Sequence, residues 1–456
     1  MQTNAAASTS TRRERWAWYL YDFGNSAYAA VVLLAVYSVY FKQEVVGGAE
    51  GSRLWGLAVG IAMLVVAITA PVLGAIADFS GAKKRFLFFY TGLACLFTAA
   101  LFFADRGEVL IGMLFFILAE IGYRSAQVFY NALLPEIATP AEIGRVSGNG
   151  WAIGSAGGIV CLILVLALII LIGGTFIVRL SLVITAIFFA LSSVPIFLWL
   201  RERAQPQTLP AGQSYPAVAF KRLWRTFRAV RRFREFVKFI LAFLVYNDGI
   251  IMALDFAAII GAVLYGMDQQ QLIIFMILVQ VTSVAGAYAF GLTADRLGGK
   301  RSLTISLVLM VVAVVGLLFN QSLTGFFFIG GLAGFALTGV QSVSRTMVGM
   351  LSPPGQSAEF YGLFAVSGRT SSFVGPAIYG WLAAETALRF QAQGQAPALA
   401  EQSGQRIAIL SIVAFLLVGL VMLLLVNEAK GRAAAEAPES EASSAWVDAL
   451  PARSEK

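Results

Sequence analysis

The stretch that decides the fold is Gly74–Arg85, which reads GAIADFSGAKKR. A similar stretch, Gly291–Arg301, reads GLTADRLGGKR, and its Asp295 lies 217 residues after Asp78 of the first copy. Each copy is a short basic segment between two long apolar runs. Similarity at one fixed offset, close to half of the 456-residue chain, indicates two copies of a single structural design.

The composition is that of a membrane protein with many spans. Hydrophobic residues make up 59% of the chain and charged residues 13%, and the mean hydropathy is +0.78. Soluble domains are nearer half apolar and a quarter charged. Apolar runs of about 20 residues, enough to cross a bilayer as a helix, recur throughout. The sequence predicts an all-α integral membrane protein with twelve transmembrane helices in two pseudo-symmetric six-helix halves, at roughly 18–41, 53–77, 86–104, 109–134, 149–172, 176–200, 237–265, 271–293, 302–320, 324–350, 359–385 and 406–427.

Lysine and arginine are concentrated in alternate loops, and this bias predicts the orientation. Basic loops are cytoplasmic in membrane proteins, so both termini are expected inside. These loops account for the net charge of +8, and no nucleic-acid partner is predicted. The expected regions are a disordered cytoplasmic N-terminus at 1–15, an N-terminal half at 16–200, a cytoplasmic linker with an amphipathic basic helix at 201–236, a C-terminal half at 237–429 and a disordered cytoplasmic tail at 430–456.

Several kinds of chemistry are excluded or disfavoured. The chain has no histidine, so any proton coupling must use carboxylates. Cys95 and Cys161 both lie in apolar runs and are predicted to be core residues. There is no phosphate-binding loop, zinc motif or nucleophile elbow. We expect no cofactor, no metal and no enzyme activity.

The fourth span carries a polar face. Glu120, Arg124, Gln127 and Asn131 are spaced four, three and four residues apart, which places them on one side of a helix. A charge at mid-bilayer costs about 2.5–3.5 kcal/mol on insertion scales, so this face must point into the bundle or into a watery cavity. Two interpretations are open: a fork or switching ion pair that binds an anionic group, and a static structural pair between Glu120 and Arg124.

The seventh span carries Asn247, Asp248 and Asp255. The two aspartates are seven residues apart, two helical turns, and therefore lie near one face. In a bundle without histidine they are the best candidates for binding a proton or an ammonium group. The alternative for Asp255 is a solvated position near the external mouth.

Spans 1 and 10 add further polar candidates for solute or proton binding. Asp22 and Asn25 are three residues apart in span 1, and Asp22 is alternatively an N-cap near the start of the helix. Gln341 and Arg345 are four apart in span 10, where Arg345 could instead snorkel to the inner surface. Arg369 in span 11 is predicted to serve cytoplasmic gating.

Span 5 contains four small residues at helical spacing. Gly150, Gly154, Gly157 and Gly158 allow helices to pack backbone to backbone. The pattern is more typical of packing than of solute contact.

The repeated loop has a predicted gating role. Asp78 and Asp295 lie at the ends of helices, and Lys83 and Lys300 lie at the inner surface. Charge–dipole contacts there would stabilise one access state and break when the halves rock. The alternative is a plain basic loop that only sets topology. The pattern resembles the loop signature of the major facilitator superfamily in both halves, although Phe79 follows Asp78 where an arginine is usual.

Four other stretches narrow this resemblance. YDFGNSAY from Tyr21, YNDG from Tyr246, GVQSVSRTM from Gly339 and AEFYGLFAVSGRTSSFVGP from Ala358 together resemble the vacuole-effluxer-like branch of that superfamily. Its fungal members export amino acids from the vacuole, and it has many bacterial members. The resemblance implies the major facilitator fold and amino-acid efflux.

The resulting expectation is a secondary active transporter that works by alternating access. Its solute is small and polar or zwitterionic, and its coupling ion is a proton or another ion. We expect a monomer in the lipid bilayer, and compact loops favour a bacterial inner membrane over a vacuole. The alternatives are an exporter of hydrophobic or drug-like compounds, and a lipid scramblase or membrane sensor on the same fold.

Overall fold

The computed structural model describes residues 11–138, 142–203, 230–353 and 357–436, and every long element in these ranges is a helix. The chain is apolar for 20 residues or more at a time, and a helix satisfies all backbone hydrogen bonds within one segment, as a membrane requires. The long helices are α1 (Arg12–Val46), α2 (Glu50–Ser80), α3 (Lys83–Ala100), α4 (Val109–Ala132), α5 (Ile143–Leu171), α6 (Gly174–Trp199), α7 (Arg234–Tyr265), α8 (Gln269–Leu297), α9 (Gly299–Phe319), α10 (Leu323–Met350), the interrupted α11 (Ser357–Ser371 and Val374–Ala392), α12 (Pro397–Leu424) and a short α13 (Glu428–Glu436).

The two halves repeat one packing scheme. In the first half α1 packs against α5 and α6, α3 against α4 and α6, and α2 against α4. In the second half α7 packs against α11 and α12, α9 against α10 and α12, and α8 against α10. The halves meet along α2 and α11, α5 and α8, and α1 and α7. The repeat read from the sequence is therefore a repeat of helix packing.

Eleven helices of the described chain are long and apolar enough to cross a membrane. The remaining predicted span, the eleventh in chain order, corresponds to α11, which is not continuous. Its two helices are separated at Ser372 and Phe373. Pro376 has no backbone N–H, so a continuous helix would lose its bond to the carbonyl of Ser372, and the proline ring would clash with that carbonyl. The span predicted at roughly 359–385 is therefore formed by two consecutive helices.

The start of α1 is more ordered than predicted. The hydroxyl of Thr11 accepts a hydrogen bond from the Glu14 amide (3.3 Å), and the Glu14 carboxylate accepts one from the Thr11 amide (2.8 Å), which together form a capping box. Arg203 also donates to Glu14 (2.9 Å). Residues 11–15, expected in a disordered segment, are thus fixed at the start of a helix. Because Thr11 is the N-cap, the alternative that Asp22 caps this helix is wrong.

The other end of the described chain also departs from expectation. Residues 430–436, predicted to be disordered, belong to α13. The end of α12 is attached to the start of α7 because the Asn427 amide donates to Glu235 (2.6 Å). Residues 1–10, 437–456 and most of the predicted amphipathic linker helix, 204–229, lie outside the described residues.

Candidate functional site

A cavity of about 380 Å³ lies between the two halves. Helices α1, α4 and α5 line it on one side, and α7, α8 and α10 line it on the other. Its charged and amide side chains are Asp22, Asn25, Arg124, Gln127, Asn131, Asp255, Gln280, Gln341 and Arg345. A polar cavity at the seam between two repeats is where a transporter of this architecture holds its solute.

The ion pair predicted in α4 is present. Arg124 Nε donates to Glu120 Oε1 at 2.6 Å. Glu120 is fully buried and does not line the cavity, whereas the Arg124 side chain does and is 20% exposed. Gln127 and Asn131 continue the same face along the cavity wall. The predicted polar face therefore points inward, with Glu120 as the buried support of Arg124.

Asp255 lies deep in the cavity rather than at an external mouth. Asp255 is only 3% exposed, so the alternative prediction of a solvated position is wrong. Trp55 of the other half donates its indole N–H to the main-chain oxygen of Asp255 (3.0 Å), which fixes α7 at this point. The charge of Arg124 acts on Asp255 across the seam between the halves.

A second pair of opposite charges faces across the same seam. Asp22 and Arg345 both line the cavity, and the charge of Arg345 acts on Asp22. Asn25 lies about one helical turn from Asp22 in α1 and lines the same cavity. Arg345 is exposed in the wall of the cavity. Spans 1 and 10 thus contribute to the cavity wall, together with Gln341 one turn from Arg345.

Asn247 and Asp248 do not line the cavity. Asn247 Nδ2 contacts the Gly368 carbonyl (3.3 Å) and Ser372 Oγ (3.4 Å), at the end of the first helix of α11. Asp248 Oδ1 accepts from the Gly375 amide (3.4 Å), at the start of the second helix. The two neighbouring side chains, which we call the α11 bridge, therefore span the break in α11. Their predicted role in binding solute or proton has no support from their position.

The loop lysines make their described contacts within their own halves. Lys83 Nζ donates to Glu136 (2.9 Å) and to the Ala132 carbonyl (3.3 Å). Lys300 Nζ donates to the Leu424 carbonyl (2.8 Å) at the end of α12. These bonds hold helix ends together inside each half.

Carboxylates complete the same arrangement in both halves. Glu202 accepts the amide of Lys83 (2.6 Å) at the start of α3, and Glu428 accepts that of Lys300 (2.9 Å) near the start of α9. Each acidic residue follows the last span of its half. The backbones of Asp78, Asp295 and Arg369 lie in α2, α8 and α11, but their side chains are outside the described ones.

Bonds between the halves close the face of the bundle opposite to the start of α1. Lys42 and Glu401 form an ion pair, and both side chains are largely buried. Gln405 donates to Ser52 (2.9 Å), and Gln269 donates to the Ala35 carbonyl (2.6 Å). The cavity residues nearest the other face, Asn131 and Arg345, are exposed. We call the face at which α1 begins and α12 ends the terminal face; the cavity is reached from that face.

The sequence interpretation missed some wall residues. Gln280 is the clearest case, because an amide in the middle of the apolar span α8 is a polar signal of the kind used for the other spans. Trp18 and Tyr130 also line the cavity, and their rings stack at 4.3 Å. Aromatic residues carry no comparable signal in a chain that is 12% aromatic.

The glycines of span 5 pack as predicted. A Cβ atom on Gly157 would lie 2.0 Å from the carbonyl oxygen of Phe23 in α1, and one on Gly154 would lie 2.4 Å from Asp22 Oδ2. Only glycine permits this approach of α5 to α1. The close contact brings Asp22 and Asn25 to the cavity wall.

Solved structures share the fold of this chain. A bacterial homolog to the human lysosomal transporter Spinster, crystallised in an inward-facing and unoccupied conformation, superposes with a TM-score of 0.69 and 14% identity, over 93% of this chain and 97% of that one. The nucleoside transporter NupG superposes with a TM-score of 0.65 and 14% identity, over 90% of this chain and 99% of that one. Such low identity shows the fold alone.

Sequence relatives define the family. The protein-family model described as vacuole effluxer Atg22 like matches residues 55–436. The chain belongs to that family. The uncharacterized MFS-type transporter YxiO of Bacillus subtilis is 28% identical over 429 residues, 92% of this chain and 95% of that protein. Autophagy-related protein 22 of Yarrowia lipolytica is 27% identical over 299 residues, 58% of this chain and 50% of that protein. The chain therefore spans about half the length of this fungal relative.

The protein is thus a multi-pass membrane transporter of the major facilitator type, not an enzyme. The predicted fold class and family are both confirmed.

Proposed function

We propose that this transporter carries a small zwitterionic solute, an amino acid, held between the two halves during alternating access. The observation that carries the proposal is the crossed arrangement of charge. Arg124 of the first half faces Asp255 of the second, and Asp22 of the first half faces Arg345 of the second. A zwitterion carries one negative and one positive group. Its carboxylate can bind an arginine and its ammonium group an aspartate, in place of the attraction between these side chains across the seam.

Arg124 is the proposed partner of the solute carboxylate. Its Nε is held by Glu120, which orients the guanidinium and leaves both Nη groups for a ligand. Arginine binds carboxylates well because its planar donors match their two oxygens. The cavity volume of about 380 Å³ is at the low end of the ~300–1,000 Å³ found for small-molecule sites, which favours a solute of amino-acid size.

Proton coupling is proposed to use the cavity carboxylates. Asp255 is the first candidate because it is buried and lies within the field of Arg124. Protonation would remove its attraction for the arginine or for the solute ammonium, and thereby change the preferred access state. Asp22 is the second candidate, opposite Arg345.

The proposed direction is efflux across a bacterial inner membrane, with a monomer whose termini are cytoplasmic. The alternating basic loops support this orientation. The solute would enter from the terminal face and leave when the contacts of Lys42 and Glu401 open. In this proposal Asp78 and Asp295 stabilise one access state, and Arg369 serves cytoplasmic gating.

A second candidate, export of hydrophobic cations, is favoured by the aromatic part of the wall. Trp18, Tyr123, Tyr130 and Trp151 line the cavity beside the charged groups. Aromatic faces attract cations and apolar surfaces alike. A lipid scramblase or sensor would instead tolerate neutral residues at Arg124 and Asp255.

The test is transport in proteoliposomes, with a panel of labelled amino acids and one lipophilic cation, with and without an imposed pH gradient. Wild type is compared with Arg124→Gln, and with Asp248→Asn as a matched change outside the cavity. We expect gradient-dependent amino-acid flux that Arg124→Gln abolishes and Asp248→Asn preserves. Flux of the lipophilic cation alone would replace the proposal with the second candidate, and no flux of either would reject both.

A further inference from the structure

Four buried polar atoms of the residues that line the cavity have no hydrogen-bond partner in the described part of the chain. They are Asn25 Oδ1, Asp255 Oδ2, Gln280 Nε2 and the hydroxyl of Tyr130. The first two accept hydrogen bonds, the third donates, and a tyrosine hydroxyl can do either. Unpaired buried polar groups cost free energy, so a solute that supplies two donors and one acceptor is favoured at this place.

These atoms belong to side chains that are held in place. Asn25 and Asp255 are each 3% exposed. The side-chain oxygen of Asn25 has no partner among the described residues. The backbone at Asp255 is held by the indole of Trp55 (3.0 Å). The two acceptors are thus presented by both halves, one from α1 and one from α7.

The side-chain amide of Gln280 packs against Gly158 of the opposite half. A Cβ atom on Gly158 of α5 would lie 3.3 Å from both Gln280 Nε2 and Gln280 Oε1. It would also lie 3.3 Å from the carbonyl oxygen of Ser26, so it would have little room on either side. Glycine at position 158 therefore leaves space for the amide of the opposite half.

We propose that Gln280 is a selectivity residue, which donates its amide N–H to the carboxylate of the solute while Asn25 and Asp255 accept hydrogen bonds from its ammonium group. The inference rests on the proposed function, because it names which end of an amino acid each residue recognises. It implies that the transporter distinguishes an α-amino acid from the amine that lacks only the carboxylate. Arg124 contributes to the same distinction from the opposite wall.

The experiment measures the Kd of the purified full-length protein for the common L-amino acids and for the matching decarboxylated amines. Gln280→Leu should weaken amino-acid binding roughly tenfold, as expected for one buried hydrogen bond to a charged group, and leave amine binding unchanged. Gly158→Ala should act in the same direction by displacing the Gln280 amide. Gly148→Ala is the matched control, because a Cβ atom there meets nothing within 4 Å, and it should have no effect.

The outcomes separate this inference from the proposal on which it rests. If the wild type binds amino acids and Gln280→Leu changes both affinities equally, or neither, Gln280 is not a selectivity residue and the proposed function stands. If the wild type binds no amino acid, the proposed function fails and the inference fails with it. The inference is supported if the preference for the amino acid over the matching amine falls in Gln280→Leu and in Gly158→Ala and stays unchanged in Gly148→Ala.

Discussion

Asp248 and Asp255 are both buried aspartates of α7, two helical turns apart, and their surroundings differ. Asp255 faces the central cavity, with one carboxylate oxygen that lacks a partner in the described structure and with Arg124 in electrostatic reach. Asp248 faces the break in α11, where it accepts from the amide of Gly375. Asp255 is the residue that our proposal assigns to the solute, whereas Asp248 contacts the break in α11.

The difference teaches that burial and charge alone do not show which acid of a membrane span faces the cavity. Both aspartates satisfy the expectation that an acid within a membrane span has a function. Their surroundings differ in what lies opposite them, a polar cavity for Asp255 and an interrupted backbone for Asp248. Four substitutions would break or sharpen this comparison.

The largest effect is expected when the charge that faces Asp255 is removed. Arg124→Gln leaves the fully buried Glu120 without its partner, and breaking such a pair costs about 3 kcal/mol or more. We expect lower thermal stability of the purified protein and no transport. Combining it with Glu120→Gln should restore much of the stability but not the transport. Recovery of transport in the double variant would show that the pair is only structural.

Asp255→Asn should abolish gradient-dependent transport at little cost in stability. Asparagine keeps the shape of the side chain but removes its charge and its ability to bind a proton. The loss of one charged hydrogen bond predicts a solute affinity lowered roughly tenfold or more. The measurement is proteoliposome flux with and without an imposed pH gradient. Unchanged gradient dependence would remove Asp255 from the coupling mechanism.

Asp248→Leu should have the opposite pattern of effects to Asp255→Asn. We expect it to reduce the stability of the protein and to leave the affinity for solute unchanged. Leucine leaves the Gly375 amide without its acceptor, and a buried unpaired group costs about 1–3 kcal/mol. Asp248→Asn retains an oxygen and serves as the matched control. The measurements are the thermal unfolding midpoint and the solute Kd. A Kd that weakens in both variants while stability holds would place Asp248 in the binding site.

Asn247→Ala should give the smallest effect, because Asn247 is only half-buried and its hydrogen bonds, at 3.3 and 3.4 Å, join uncharged groups. We expect a loss of about 0.5–1 kcal/mol in stability. The transport rate should change more than the affinity, since α11 packs against α2 along the seam where the halves meet. A changed affinity with an unchanged rate would contradict the assignment of Asn247 to the α11 bridge.

Much of the fold was predictable because the membrane imposes simple rules. Span length, the repeat and the small residues of α5 each follow from local sequence. The departures from the predicted helix boundaries have local causes. Pro376 interrupts α11, and Thr11 with Glu14 starts α1 earlier than its apolar run. Both are helix-boundary signals that hydropathy alone does not register.

The candidate site was predicted in part. Helical spacing placed Arg124, Gln127 and Asn131 on one face, and the structure turns that face to the cavity. The same rule gave no means of separating Asp248 from Asp255, since seven residues make almost two full turns. The difference arises from the neighbours of each residue, which belong to helices far away in the chain.

The sequence by itself determined a membrane protein of two repeated helical halves with charged groups inside its spans, because the bilayer fixes helix length and makes each buried charge conspicuous. Only the tertiary structure decided which of those charges meet. Arg124 and Asp255 come from different halves and face each other across a seam formed by the packing of α1, α5, α7 and α8. Attraction between charges falls with distance in space, and the order of residues along the chain does not contain that distance.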